Sequence, residues 1–245
     1  MILAIDIGNS GIKAGLREHG DISTVFTDTR PFRDARVYAE ELGLNHPVNG
    51  IIVSSVVDEL KDTFEELARA LCNSAVLFID SGTDAGISFE VDRPELVGPD
   101  RIANAVGGYH TAGGPAIIVD MGSATTLTVV GKDAGFMGGC IMAGVGMMAS
   151  SLQEKTSKLP EVAFHIPDHV IGRDTAENIH AGLSYGVAGA VERLIAEIKK
   201  EIGYTMNVIL TGGMCGEFRN LISGIDIIDP LLTLKGLFII YDRNT

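Results

Sequence analysis

One pattern occurs twice. Residues 2–9 read ILAIDIGN and residues 116–123 read AIIVDMGS: an apolar, β-branched run, an aspartate, then a glycine and a polar residue. Asp6 and Asp120 lie nearly half the chain apart. The segments after each aspartate also match in kind. Residues 12–16 and 125–130 read as second strands, and 21–27 and 136–142 as third strands. Helical and strand-like segments then alternate. In the first half these are a helix over 34–42, a strand over 50–54, a helix over 59–72 and a strand over 76–80. In the second half they are helices over 147–155 and 175–202, a strand over 208–211, a helix over 215–221, a strand over 225–228 and a last helix from 231. Residues 100–110 read as a connecting helix.

Three strands in a meander followed by alternating helix and strand, stated twice, predict an α/β chain of two ribonuclease H-like halves, residues 1–112 and 113–245, with a ligand cleft between them. The competing arrangement is a single doubly wound sheet. Glycine use favours converging loops: 30 glycines among 245 residues cluster just past the apolar runs. There glycine allows a sharp turn or close approach of backbone to a ligand.

Charge narrows the partners. With 19 Lys and Arg against 32 Asp and Glu the net charge is −13, and no basic cluster stands out. A nucleic-acid or anionic-membrane partner is therefore not expected. No apolar run reaches the ~20 residues of a membrane span. The opening MILAIDIGNS has an acid at position 6 and no basic segment, unlike a secretory leader. Three separated cysteines, Cys72, Cys140 and Cys215, fit reduced thiols in a cytoplasmic protein.

The chemistry-bearing residues fall at the turns. Asp6, Ile7, Gly8, Asn9, Ser10, Gly11, Ile12 and Lys13 place a carboxylate at a strand end before a glycine turn. Such a turn can hold hydrated Mg²⁺ and face phosphate oxygens with N–H groups. It is neither a Walker A loop nor a dinucleotide fingerprint. Asp120, Gly122, Ser123, Thr125 and Thr126 make a second such turn. The stretch from Leu210 to Gly213 is a third, between strand and helix. In Gly98–Pro99–Asp100–Arg101, Asp100 stands where a helix begins. It is either an N-cap or a general base, with Arg101 gripping an anion. The apolar face Ile179, Leu183, Val187, Val191, Leu194 and Ile198 is either core or a two-fold contact. His165 and His169 have helical metal-pair spacing, but Pro167 between them opposes a helix.

Taken in order, DIGNSGIKAGL at 6–16, GPDRIANAV at 98–106, DMGSATTLTVV at 120–130, GGCIMAG at 138–144, GRDTAENIHAGLSYG at 172–186, LTGG at 210–213 and DPLLTLKGL at 229–237 resemble the type III pantothenate kinases. That family sits within the acetate-and-sugar-kinase, heat-shock-chaperone and actin superfamily. The resemblance implies ATP-dependent phosphorylation of pantothenate, the entry to coenzyme A. It implies that residues 6–13 and Ser123 contact ATP, with Asp6 supporting Mg²⁺. It implies that Asp100 is the proton acceptor, that Gly98, Pro99, Asp100, Arg101 and Thr175 contact pantothenate, and that Asp120 sits by K⁺ or NH₄⁺. It also implies a homodimer. Ser10 and Ser123 stand where the family usually has Thr, Ala143 where it has Pro, and Val91 where many members have Tyr. The alternatives are another small-molecule kinase or ATPase of the superfamily, or a non-catalytic regulatory relative.

Overall fold

A computed structural model describes residues 1–44, 47–72 and 76–245. The chain forms two compact units, Met1–Gly107 with Leu232–Thr245, and Gly108–Leu231. The last helix therefore belongs with the first unit, although it comes after the second in sequence.

In the first unit β1 (Ile2–Ile7), β2 (Gly11–Glu18) and β3 (Asp21–Asp28) form the antiparallel meander. β4 (Gly50–Ser55) then pairs parallel to β1, and β5 (Leu77–Phe78) parallel to β4, giving the order β3-β2-β1-β4-β5. The inner strands are covered on both faces, so they read as continuous apolar runs rather than alternating ones. On one face Leu3, Ile5, Ile7, Ile51 and Val53 pack with Tyr38 of α1 (Ala35–Glu41) and with Phe64 and Leu67 of α2 (Lys61–Leu71). Asp34 caps α1, its carboxylate accepting from the N–H groups of Arg36 and Val37 at 3.0 Å. A single 3-10 turn, Asp58–Leu60, leads into α2.

The part of α3 (Pro99–Ala112) up to Gly107 and all of α7 (Leu232–Arg243) complete the unit, with α7 packed on β1 and β4. These helices approach until their backbones nearly touch. A Cβ on Gly236 would meet the Ala103 carbonyl at 1.9 Å, and one on Gly107 the Leu232 carbonyl at 2.5 Å. Two glycines inside helices are explained by this crossing rather than by flexibility. A two-residue strand, β6 (Ser88–Phe89), precedes α3 and has no counterpart in the sequence pattern.

The second unit repeats the plan. β7 (Ala116–Met121), β8 (Ala124–Val130) and β9 (Gly135–Ala143) are the meander. β10 (Asn207–Thr211) pairs parallel to β7, and β11 (Ile227–Ile228) parallel to β10. The unit's own five strands run β9-β8-β7-β10-β11, the same order as in the first unit. Beneath it lie α4 (Val145–Lys155), α5 (Thr175–Ile202) and the short α6 (Cys215–Phe218). The apolar face of α5 is core: Ile179, Leu183, Val187 and Val191 are buried against Ile117, Val119 and Leu210, with Leu194 and Ile198 packed beside them. A two-fold contact must therefore be sought elsewhere than on that face.

The predicted helix over 215–221 ends at Phe218, and the predicted strand over 225–228 shortens to two residues. Asp226 accounts for the second difference. Its carboxylate accepts from the Val208 N–H at 2.8 Å, replacing a ladder bond. No helix among the described residues is long and apolar enough to cross a membrane. All three cysteines are free thiols.

Candidate active site

In the first unit Asp6 ends β1 between two neighbours in register, Lys13 on β2 and Ser54 on β4. The turn beyond it is fixed by hydrogen bonds. The Gly8 N–H donates to the Gly11 carbonyl at 2.9 Å. Thr29, just past β3, donates its hydroxyl to the Gly8 carbonyl at 2.6 Å and its N–H to the Ser10 carbonyl at 3.2 Å. Tyr38 in turn donates its hydroxyl to the Thr29 carbonyl at 2.8 Å. The exposed tip, Asn9 and Ser10, is thus anchored through buried Thr29 to the core. Thr29 is a support that sequence reading misses; a lone threonine after a strand gives no signal.

The second unit builds the matching turn around Asp120, whose register neighbours are Thr126 on β8 and Thr211 on β10. The Gly122 N–H donates to the Ala124 carbonyl at 3.1 Å. Gly144, just past β9, donates its N–H to the Ser123 carbonyl at 3.1 Å and begins α4. A Cβ there would sit 2.3 Å from that same carbonyl oxygen. Gly212, at φ +92°, lies directly under the Asp120 carboxylate: a Cβ would be 2.4 Å from Oδ1. Only glycine fits both the left-handed backbone and the space.

The third element is the start of α3. Gly98 is the cap position, its carbonyl accepting from the N–H groups of Arg101 at 3.0 Å and Ile102 at 3.1 Å. Asp100 is therefore inside the first turn and is not the N-cap. Its carboxylate accepts from the Arg101 N–H at 2.8 Å and comes close enough to Gly98 that a Cβ there would sit 2.5 Å from Oδ1. Burial raises the Asp100 carboxyl above the ordinary carboxylate value, against the pull of the Arg101 N–H and guanidinium. Gly98 also lies over the far end of β4, since its Cβ would be 3.9 Å from Val56 Cγ1. The start of α3 thus lies near the carboxyl end of β4, where Ser54 stands in register with Asp6. A cleft of about 270 Å³ opens beside Pro99, lined among others by Ser55, Asp58, Lys61, Asp80 and Glu95. Three carboxylates to one ammonium make that cleft a poor seat for an anion.

Thr175 is the exposed first residue of α5 in the second unit. Asp174 caps the helix, accepting from the Glu177 N–H at 2.9 Å, while the Glu177 carboxylate accepts from the Arg173 N–H at 2.6 Å. A Cβ on Gly172 would strike the Asn178 nitrogen at 2.5 Å. The GRDT segment is thus a compact helix entry that presents Thr175. The stretch before it is not helical. His165 lies with its ring 3.8 Å from that of His180 instead of pairing with His169.

Among the described residues no group of three or more His, Cys, Asp or Glu is placed to hold a metal ion. A single carboxylate per turn suits Mg²⁺, which keeps most of its waters and takes its other ligands from substrate phosphates. One observation supports that fit. The hydroxyls of Ser54 and Thr211, the strand neighbours of the two aspartates, are buried with no hydrogen-bond partner. An unmade buried hydrogen bond costs about 1–3 kcal/mol, so such groups point to a missing polar partner.

The sequence pattern of the type III pantothenate kinases matches residues 2–197. A type III pantothenate kinase of Brevibacillus brevis is 38% identical, the alignment covering 100% of this chain and 99% of that one. Among solved structures, a Baf family transcriptional activator from Campylobacter jejuni superimposes with TM-score 0.64 at 18% identity, covering 99% of this chain and 98% of that one. A ROK family glucokinase from Streptomyces griseus, in complex with glucose and AMPPNP, gives 0.55 at 14% identity, covering 100% and 99%. The activator of 2-hydroxyisocaproyl-CoA dehydratase from Clostridium difficile, with bound ADPNP, gives 0.56 at 14% identity, covering 99% and 94%. These structural likenesses carry the fold alone, that of the actin-like ATPases and sugar kinases. The full-length relative and the matching pattern place this chain in the type III pantothenate kinase family, the enzymes that use ATP to phosphorylate pantothenate for coenzyme A.

Proposed function

We propose a division of roles between the two units. The turn of residues 6–13 and the second-unit Ser123 hold the phosphates of ATP through backbone N–H and hydroxyl donors. Asp6 holds Mg²⁺, which when bound neutralises charge on the phosphates. Asp100 accepts the proton of pantothenate's primary hydroxyl as that oxygen bonds to the γ-phosphorus and the bond to ADP breaks. The products are 4'-phosphopantothenate and ADP. Gly98, Pro99, Arg101 and Thr175 hold pantothenate, with Arg101 taking its carboxylate.

The observation that carries this reading is Asp100 itself. A helix-start carboxylate that is half-buried and raised above its usual value, and whose neighbour Arg101 is the cation an anionic acceptor needs, suits a general base. The experiment is an ADP-release assay with and without pantothenate, repeated in K⁺ and Na⁺. Release that needs pantothenate supports the reading. Release indifferent to it, or to Asp100→Asn, overturns it.

The monovalent cation is drawn to Asp120. The cross-strand neighbour of Asp6 is an ammonium, Lys13, whereas that of Asp120 is a hydroxyl, Thr126. A second anion facing triphosphate is repelled unless a cation intervenes. K⁺ or NH₄⁺ serves because each sheds water more easily than Na⁺. A homodimer is supported by exposed apolar side chains on the second unit, Ile141, Met147, Val170 and Ile171. A cytoplasmic setting is supported by the free thiols.

A further inference from the structure

Among the described residues four buried hydroxyls have no hydrogen-bond partner, those of Ser54, Thr125, Ser184 and Thr211, and two of them, Ser54 and Thr211, occupy the same place in a duplicated design. Ser54 lies in register with Asp6 on the parallel neighbour β4, and Thr211 lies in register with Asp120 on the parallel neighbour β10. Register partners in parallel strands point to the same face of the sheet. Each hydroxyl therefore shares a face with its carboxylate. Ser54 is 0% exposed and Thr211 1% exposed, and neither oxygen has a hydrogen-bond partner.

The surroundings make these placements specific. Three apolar residues precede each hydroxyl, Ile51, Ile52 and Val53 in one strand and Val208, Ile209 and Leu210 in the other. The adjacent Ser55 has local work, since its hydroxyl donates to the Val57 carbonyl at 3.1 Å and accepts from the Val57 N–H at 3.2 Å. Ser54 has none. Thr211 stands next to Gly212, over which the Asp120 carboxylate reaches. It is near that carboxylate without being bonded to it. A methyl or a β-branched hydrocarbon would fill either position at no polar cost. The fold instead keeps a buried donor beside each acid, twice.

We infer that Ser54 and Thr211 are positioning residues whose hydroxyls bind the water shells of the cations held at Asp6 and Asp120, sharing with each carboxylate a water that the cation orders. This rests on the reading above, in which Asp6 serves Mg²⁺ and Asp120 a monovalent cation. Each hydroxyl donates to or accepts from such a water and so fixes where the carboxylate–water–cation unit lies against the phosphates. Neither hydroxyl has a protein partner, and the cation's water supplies one. A residue that serves only the fold has the opposite signature.

The experiment is thermal denaturation of the full chain with Mg²⁺ titrated at fixed AMPPNP, and with K⁺ titrated at fixed Mg²⁺–AMPPNP. Wild type is compared with Ser54→Ala, Thr211→Val and Thr211→Ser. For Ser54→Ala the unligated melting temperature is expected to stay level or rise, while half-saturating Mg²⁺ increases roughly tenfold, the scale of one charge-assisted hydrogen bond. Thr211→Val is expected to shift half-saturating K⁺ by a similar factor with Mg²⁺ little changed, and Thr211→Ser to restore it. The inference is overturned by half-saturation within twofold of wild type, or by an unligated protein that melts several degrees lower. If wild type itself gains nothing from Mg²⁺–AMPPNP, the nucleotide reading falls and takes this inference with it. If wild type is protected and Ser54→Ala equally so, only the hydroxyl assignment falls.

Discussion

The two sheets share strand order, register and an aspartate at the end of their first strand, yet the turns after those aspartates are held by different means. In the first unit the turn runs one residue longer, and Thr29 ties it down through a hydroxyl and an N–H, backed by Tyr38. In the second unit Gly144 ties it down through backbone alone, so closely that no side chain fits, and α4 starts at once. The cross-strand neighbour of the acid is Lys13 in one and Thr126 in the other. Duplication thus preserves where a carboxylate points while leaving the turn's support and local charge free to change. In the roles proposed above, the first unit supplies Asp6 for Mg²⁺ and the base Asp100, and the second supplies Asp120 for a monovalent cation.

The strongest way to break that division is at Asp100. Asp100→Asn is expected to lower turnover by about 10²–10⁴-fold, against a much smaller change for Asp120→Asn at saturating K⁺. Stability should move the other way. The folded carboxyl titrates above the unfolded value of about 3.9, so folding binds a proton in that interval and stability falls as pH rises through it. Asp100→Asn escapes this loss. Its melting temperature should match or exceed wild type at pH 7, with the advantage gone below about pH 4. A variant that melts early and keeps its turnover makes Asp100 a structural residue.

The contrast in turn support is tested by two alanines. Gly144→Ala drives a Cβ into two backbone carbonyls, at 2.3 and 2.5 Å, and is expected to cost about 1–3 kcal/mol in denaturant unfolding. Gly11→Ala meets only the ring of Phe26, which is 62% exposed and free to swing. It is expected to cost about 0.5 kcal/mol or less. Equal losses would mean that the two turns are held alike.

The charge contrast is sharpened by Thr126→Lys, which copies the first unit's ammonium into the second. The ratio of turnover in K⁺ to that in Na⁺, at constant ionic strength, is expected to fall several-fold towards one. A flat ratio in wild type removes the cation site and leaves the kinase. The smallest expected effect is at the surface. Arg17 donates to Asp242 at 2.7 Å, joining β2 to α7, but Asp242 is 55% exposed. Asp242→Ala should cost no more than about 1 kcal/mol.

Strand alternation, cap chemistry and the repeated aspartate make most of this architecture readable in the sequence. Helix α5 is the clearest case: Asp174 caps it, Gly203 ends it at φ +73°, and its span is the expected 175–202. Asp100 is legible as a helix-start acid, but the cap itself is Gly98, whose backbone alone does the work. Ser54 and Thr29 are not legible, and Thr211 is legible only as part of the turn after β10, not as the neighbour of Asp120. Their importance arises from pairing between strands distant in sequence, and parallel register leaves no local trace. The apolar face of α5 is legible as a face to be buried, but periodicity reports burial without saying whether the core or a second copy provides it.

The return of α7 to the first unit has a consequence for how the chain is made. Gly15, Ala4 and Ile52, side by side in register, form the sheet face on which this helix lies, with Leu234 against Gly15. During synthesis that face emerges first yet stays uncovered until Leu232–Thr245 leaves the ribosome. The second unit has all its own segments earlier. Order of completion is thus the reverse of order of emergence. A nascent chain halted before residue 232 carries a finished second unit and an open first one, the species most exposed to chaperones and to aggregation.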